Sequence, residues 1–94
     1  MDTVRTVDAL RTRISKWRGT GATVGLVPTM GGLHDGHLSL IRAAKGQTDL
    51  TVATLFVNPA QFAPDEDLNA YPRDEARDLE LFVAEGTDLL FAPD

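Results

Sequence analysis

Apolar residues recur at helical spacing near the start of the chain, and this pattern predicts the first helix. Four of them lie three or four positions apart, on one face of a helix: Val7, Leu10, Ile14 and Trp17. Thr6 is a suitable N-cap, because its hydroxyl can accept a backbone N–H. Gly19 and Gly21 predict the end of the helix, and residues 2–5 are expected to form a short strand before it.

A strand, a glycine-rich turn, a helix and a second strand follow between residues 23 and 57. Residues 23–27 are short and rich in aliphatic and β-branched side chains, as in a buried strand. The turn is predicted over 28–36 and the helix over 37–45, with Gly46 as its C′ residue. The nearly continuous apolar run 50–57 fits a strand covered on both faces. This order predicts a right-handed βαβ unit.

The remaining residues predict a loop, a third helix and a further strand. Residues 58–71 have no clean period, and a loop of that length is often functional. Pro72 can open a helix that continues to Glu85 and is ended by Gly86. Four of its residues are predicted to face inward: Ala76, Leu79, Phe82 and Val83. Residues 88–92 are expected to form the last strand.

This pattern is typical of the α/β class, with a Rossmann-like parallel sheet and flanking helices. It corresponds to the N-terminal half of a nucleotide-binding domain. Because the pattern stops where another crossover would begin, residues 1–94 are predicted to be part of a larger domain.

Charge and cysteine content narrow the function classes. The net charge of −5 disfavours nonspecific nucleic-acid binding. Residues 1–45 carry a balance of +4 and residues 46–94 a balance of −9, which indicates either two differently solvated faces or an anion site in the cationic half.

The absence of cysteine excludes disulfides and thiolate metal sites. No apolar run reaches the roughly 20 residues of a membrane helix, and no signal peptide is visible, so we expect a cytoplasmic protein.

Chemistry-bearing residues are densest between the strand that ends near Val27 and the following helix. Ligands of open α/β sheets bind at such a position, and a helix N-terminus suits a phosphate. His34 and His37 lie three apart, so both can point to the same side and donate to phosphoryl oxygens. The histidines could instead be structural, or could bind a metal, although only Asp35 is adjacent as a further ligand. The glycines match neither standard nucleotide fingerprint.

Three ordered blocks resemble one enzyme family. Residues 28–40 are similar to the PTMGxLHxGH signature of the pantothenate synthetase (pantoate–β-alanine ligase) family. Residues 56–62, FVNPAQF, resemble the family's FVNPxQF, and residues 67–73 resemble its acidic-to-YPR segment. The HxGH element alone is shared by a whole nucleotidyltransferase superfamily. Together the blocks extend the resemblance over essentially the whole chain.

The resemblance implies an ATP-dependent ligase that makes pantothenate. Pantoate would attack the α-phosphorus of ATP to give pantoyl adenylate and pyrophosphate, and β-alanine would then displace AMP. The partners implied are pantoate, β-alanine and ATP, with no nucleic acid and no membrane, and we expect a homodimer. Magnesium is expected with ATP, held mainly by the phosphates and water. The family's later residues complete the ATP site, so a polypeptide of residues 1–94 alone is expected to be inactive.

Site roles follow from the same motifs. His34 and His37 are the implied catalytic residues, which stabilise the adenylation transition state. The residues implied for ATP are Pro28, Thr29, Met30, His34, Gly36 and His37. The residues implied for pantoate are Met30, Asn58 and Gln61. Tyr71 would form a wall of the pocket or cover an apolar face, and no metal ligand is implied; the acidic residues at 65–67 are interpreted as a solvated loop.

Two other functions stay open from the residues. One is another HxGH nucleotidyltransferase that transfers a nucleotidyl group to a phosphate ester, against which the FVNPAQF block argues. The other is a binding module without catalysis.

Overall fold

The computed structural model describes residues 1–56 and 75–93, which form a parallel sheet with helices. In chain order the elements of these residues are β1 (Asp2–Val4), α1 (Val7–Gly19), β2 (Val24–Thr29), α2 (Asp35–Gln47), β3 (Leu50–Leu55), α3 (Glu75–Ala84) and β4 (Leu89–Phe91). The strand order is β1-β4-β3-β2, and every pairing is parallel. The predicted α/β class with a parallel sheet and flanking helices is therefore confirmed.

Parallel pairing brings the carboxyl ends of all strands to one edge of the sheet. β2 and β3 pair in register from Val24–Leu50 to Thr29–Leu55, and β2 is the outer strand of the described sheet. The β1–α1–β2 connection crosses the sheet in the opposite direction from the two later connections. A right-handed crossover therefore places α1 on one face and α2 and α3 on the other.

The main core lies between the sheet and the two helices α2 and α3. Its buried members are Val27, Leu33, Leu38, Ile41, Ala53, Phe82, Leu90 and Ala92. Val52 and Leu89 are also fully buried, and strand alternation places them on the opposite face. β3 is thus covered on both faces, as its continuous apolar run predicts.

The predicted ends of two elements are wrong, one because of strand pairing and the other because of helix capping. β2 continues through Pro28 and Thr29, which were predicted to lie in the turn, because both stay paired with β3. A proline is tolerated there because, among the described strands, β2 pairs only with β3. α2 runs through Gly46 to Gln47, and Thr48 rather than glycine ends it. The Thr48 backbone N–H and hydroxyl both donate to the Ala44 carbonyl, at 2.9 and 2.8 Å.

Local end signals at the other helices are confirmed in part. The Thr6 hydroxyl accepts the Ala9 N–H at 3.2 Å, which confirms Thr6 as the N-cap of α1. Gly19 lies inside that helix, and it is Gly21, at φ +87°, that takes the left-handed conformation after its end. Gly86, at φ +79°, follows α3 as predicted.

The inward face of α3 differs from the predicted one. Phe82 is buried and Leu79 half-buried, but Ala76 and Val83 are exposed. Asp78 takes a buried position instead, one turn before Phe82 on the same face. A hydrophobicity pattern could not indicate this, because a carboxylate is buried only where polar partners compensate it. The loop predicted over 58–71 and Pro72 lie outside the described residues.

Candidate functional site

The candidate site starts where β2 ends at the carboxyl edge of the sheet. Thr29 is 7% exposed, and its hydroxyl donates to the Thr54 carbonyl of β3 at 2.8 Å. The same oxygen accepts the Gly31 N–H at 3.4 Å. The Thr29 hydroxyl therefore ties the end of the strand to the turn that follows.

Two consecutive glycines shape that turn. Gly31 and Gly32 have φ values of +88° and +62°, a conformation that side chains with a Cβ rarely adopt. A Cβ on Gly31 would also lie 2.9 Å from Leu55 Cδ1 and 3.2 Å from Asp78 Oδ2. Leu33, 2% exposed, then anchors the turn in the core. Only glycine fits the backbone and the space at position 31.

His34 and His37 form a reciprocal cap at the first turn of α2. His34 Nδ1 accepts the Gly36 N–H at 3.0 Å, and His37 Nδ1 accepts the His34 N–H at 3.2 Å. The ring centroids are 4.1 Å apart, and the ring planes are tilted by 38°. A nitrogen that accepts a hydrogen bond carries no proton, so in each neutral ring the proton lies on Nε2. The cap thus fixes the tautomer of both imidazoles.

This cap changes which hydrogen-bond donors at the helix N-terminus are available to an anion. The N–H groups of His34 and Gly36 donate to the two imidazoles, so these two groups are not available to a phosphate. The donors that replace them are the two Nε2–H groups, which stand at the positive end of the helix dipole. Each ring can therefore donate a hydrogen bond to an anionic group at this end of the helix.

Gly36 makes room for this arrangement. A Cβ at position 36 would lie 2.8 Å from Cε1 and 3.0 Å from Nδ1 of His34. The imidazole of His34 thus lies against the backbone of Gly36, at a distance that a side chain would prevent. The glycine between the two histidines therefore has a steric reason in the protein itself.

The pKa of His37 is lowered from its ordinary value of 6.5. Partial burial is the largest cause, the neighbouring His34 acts in the same direction, and the negative charge of Asp78 opposes both. His37 is therefore neutral at pH 7, which agrees with the hydrogen bond that its Nδ1 accepts.

Asp78 is a residue of the site that the sequence analysis missed. It is 1% exposed, and its carboxylate accepts the Gly32 N–H through Oδ2 at 3.0 Å and the Leu33 N–H through Oδ1 at 3.1 Å. Arg77 donates to the Leu33 carbonyl at 3.3 Å. The signal that could have found Asp78 is an acidic residue four positions before the core residue Phe82.

The structure brings together only some of the residues predicted for the site. Those that lie on the β2–turn–α2 segment are Pro28, Thr29, Met30, His34, Gly36 and His37. Asn58, Gln61 and Tyr71 lie outside the described residues. Within residues 1–56 and 75–93, no three His, Asp or Glu side chains cluster as metal ligands do. Over the same residues, no helix combines the length and apolar character needed to cross a membrane.

Comparison with known proteins identifies similar sequences. A family model described as pantoate-beta-alanine ligase matches residues 2–94. A pantothenate synthetase from Caulobacter vibrioides is 54% identical over 90 residues, which are 96% of this chain and 32% of that protein. A bifunctional pantoate ligase/cytidylate kinase from Synechococcus sp. is 56% identical over 94 residues, which are 100% of this chain and 17% of that protein.

Solved structures give the same result for the fold. The pantothenate synthetase from Thermus thermophilus matches with a TM-score of 0.84 at 46% identity, over 100% of this chain and 32% of that one. A Francisella tularensis pantoate-beta-alanine ligase, complexed with beta-gamma ATP and beta-alanine, matches with a TM-score of 0.89 at 34% identity, over 99% of this chain and 35% of that one. The chain thus spans about a third of the length of most of these relatives.

Proposed function

Because the chain belongs to the pantoate–β-alanine ligase family, we propose that the protein condenses pantoate with β-alanine at the expense of ATP. The products are pantothenate, AMP and pyrophosphate. The observation that carries this proposal is the reciprocal cap of His34 and His37, which leaves the Nε2 atoms of both rings as donors at the positive end of α2.

The first step activates a poor acyl donor. A carboxylate oxygen of pantoate attacks the α-phosphorus of ATP, and a new O–P bond forms. The bond from that phosphorus to the bridging oxygen breaks, and pyrophosphate leaves with the electron pair. Negative charge grows on the phosphoryl oxygens, so donors fixed in advance at that position lower the barrier. We assign this task to the Nε2–H groups of His34 and His37.

The second step forms the amide. The amine of β-alanine attacks the acyl carbon of pantoyl adenylate, and a C–N bond forms. The C–O bond to the phosphate breaks, AMP leaves with the electron pair, and the nitrogen loses a proton. The roles proposed for Asn58, Gln61 and Met30 are to hold pantoate, and the role proposed for Tyr71 is to close the pocket.

ATP is the proposed nucleotide substrate, and the Francisella relative complexed with beta-gamma ATP and beta-alanine supports this. Pro28, Thr29, Met30 and Gly36 are proposed to lie against it. Since the Thr29 hydroxyl is already engaged by Thr54 and Gly31, Thr29 would act by shaping the turn.

Magnesium would accompany ATP. Asp78, whose carboxylate contacts the turn, is occupied by two backbone N–H groups, so the described residues fit an ion held by phosphates and water rather than by a protein cage. We further propose a cytoplasmic homodimer.

The proposal is tested by pyrophosphate release from the complete protein as encoded. Adding ATP and pantoate together should release pyrophosphate, and β-alanine should then give AMP and pantothenate. His34→Ala and His37→Ala should each lower the single-turnover rate of adenylation by about 10²–10³-fold, as for the loss of one transition-state donor. Pantoate binding should change much less.

A matched variant separates catalysis from helix capping. Asparagine is a preferred N-cap, so His34→Asn keeps an acceptor for the Gly36 N–H while it removes the imidazole. We expect His34→Asn to melt like the wild type and to adenylate as slowly as His34→Ala. Pyrophosphate release without pantoate would point to another nucleotidyl transfer, and no release under any condition would point to a binding module; either result contradicts the proposal.

A further inference from the structure

The carboxylate of Asp78 is buried at a position where an ionised group is energetically unfavourable. It is 1% exposed, and an ionised carboxylate at such a position is tolerated only when hydrogen bonds replace its water. The partners are two successive backbone N–H groups, those of Gly32 and Leu33, at 3.0 and 3.1 Å. Each oxygen of the carboxylate accepts one of them, so the interaction is bidentate.

The backbone of the turn explains why these two N–H groups converge. A tight turn, here one that contains Gly31 and Gly32 at positive φ, can direct successive N–H groups toward one point and create an anion-binding concavity. In glycine-rich turns of nucleotide-binding proteins such a concavity commonly holds a ligand phosphate. In this protein the anion in the concavity is the protein's own Asp78.

Residues of α3 therefore bind both the N–H and the carbonyl of Leu33 in the turn. Asp78 accepts the Leu33 N–H, and the neighbouring Arg77 donates to the Leu33 carbonyl at 3.3 Å. Arg77 Nη1 also lies 3.7 Å from Asp78 Oδ1, which partly balances the buried charge. Leu33 directly precedes His34, whose own N–H is the donor that His37 Nδ1 accepts. The contacts form a continuous path from Asp78 to both imidazoles.

We propose that Asp78 is the positioning residue that holds the glycine turn in the one shape that allows His34 and His37 to face the phosphates of the nucleotide. It touches no substrate; it acts through the N–H groups of Gly32 and Leu33. This inference rests on the proposed function for the reaction that it affects, but its geometric part concerns the two imidazoles alone.

The pKa of His37 can distinguish an electrostatic effect of Asp78 from an effect on packing alone. Two titratable groups act on the pKa of His37: His34 lowers it, and Asp78 raises it. Removal of the charge at Asp78 should therefore lower the pKa of His37 further. Loss of the bidentate contact should also weaken the His34–His37 cap and its fixed tautomer.

The test variant is Asp78→Asn in the complete protein as encoded. Asparagine has the same shape, but it has one acceptor oxygen, and its amide N–H groups would face a backbone N–H. The matched control is Asp88→Asn. Asp88 also accepts a backbone N–H, from Thr51 at 2.8 Å, but at the opposite, amino-terminal edge of the sheet.

Two measurements are made on each variant. The first is the nitrogen chemical shifts of ¹⁵N-histidine through a pH titration, which report tautomer and protonation without any substrate. The second is the single-turnover rate of pyrophosphate release with ATP and pantoate, together with the KM for pantoate. A misplacement of about 1 Å in a catalytic group lowers a rate by about 10²-fold, so Asp78→Asn should lose about that factor in rate with little change in KM.

The outcomes separate the two proposals. We expect Asp78→Asn to shift the titration midpoint of His37, to mix the tautomers and to slow adenylation, and we expect Asp88→Asn to change none of these at a temperature where both variants are folded. Equal histidine titrations and equal rates in the two variants would overturn the role of Asp78. If the wild type released no pyrophosphate, the proposed function would fail, and the titration would still decide whether Asp78 positions the histidines.

Discussion

Replacing Gly36 by alanine tests the steric interpretation of the histidine pair. The new Cβ would lie 2.8 Å from His34 Cε1, and ordinary contacts begin near 3.4 Å, so the imidazole must retreat by about 0.6 Å or rotate. Its hydrogen bond from the Gly36 N–H, now 3.0 Å, would lengthen or break. Since a displacement of about 1 Å costs about 10²-fold in rate, we expect adenylation to slow by about 10- to 100-fold.

The free energy of unfolding should change little in Gly36→Ala, in contrast to the adenylation rate. Gly36 is the second residue of α2, where alanine is favoured over glycine by at most the roughly 0.5–1 kcal/mol of a helix interior. The lost hydrogen bond opposes this gain with about 0.5–1.5 kcal/mol. The two terms nearly cancel, so the melting temperature should stay close to that of the wild type while the rate falls.

Gly46→Ala is the matched control. Gly46 lies in the same helix, and a Cβ there would meet nothing within 4 Å. It should gain stability and leave the adenylation rate unchanged. The assay is single-turnover pyrophosphate release with ATP and pantoate, beside thermal unfolding of each variant. A wild-type rate in Gly36→Ala would refute the argument that the glycine makes room for the His34 ring.

Two further predictions concern protonation and the isolated chain. The folded pKa of His37 is below its unfolded value near 6.5, so the unfolded state binds more protons in that range. The stability contributed by neutral His37 is therefore complete above pH 6.5 and is lost as the pH falls toward the folded pKa. The rate of adenylation should fall over the same pH range. A rate that rises on acidification would contradict the role of the neutral ring. A polypeptide of residues 1–94 alone should fold, form no pantothenate and self-associate, because no described strand covers the outer edge of β2, where Leu26 is 60% exposed. Circular dichroism, product analysis and light scattering check these three points, and a 10.2 kDa monomer at high concentration would contradict the association.

Features that depend on near neighbours in the chain could be predicted from the sequence. The Thr6 cap, the helical spacing of Leu38 and Ile41, and the continuous apolar run of β3 each depend on residues a few positions apart. The position of His34 and His37 between a strand end and a helix start is local in the same sense. Their reciprocal cap also spans only three residues, although its atoms and tautomer could be assigned only from the structure.

Features that join distant parts of the chain required the tertiary structure. β2 continues through Thr29 because β3 pairs with it, and Asp78 meets the glycine turn across 45 and 46 positions of sequence. Hydrophobic periodicity assigned Ala76 and Val83 to the inner face of α3, since it has no means of representing a buried carboxylate that is satisfied by another segment's N–H groups. Local patterns in the chain were therefore enough to predict the order of the elements and the place of the two histidines. The contact of Asp78 with the glycine turn required the tertiary structure, because it exists only when α3 packs over that turn.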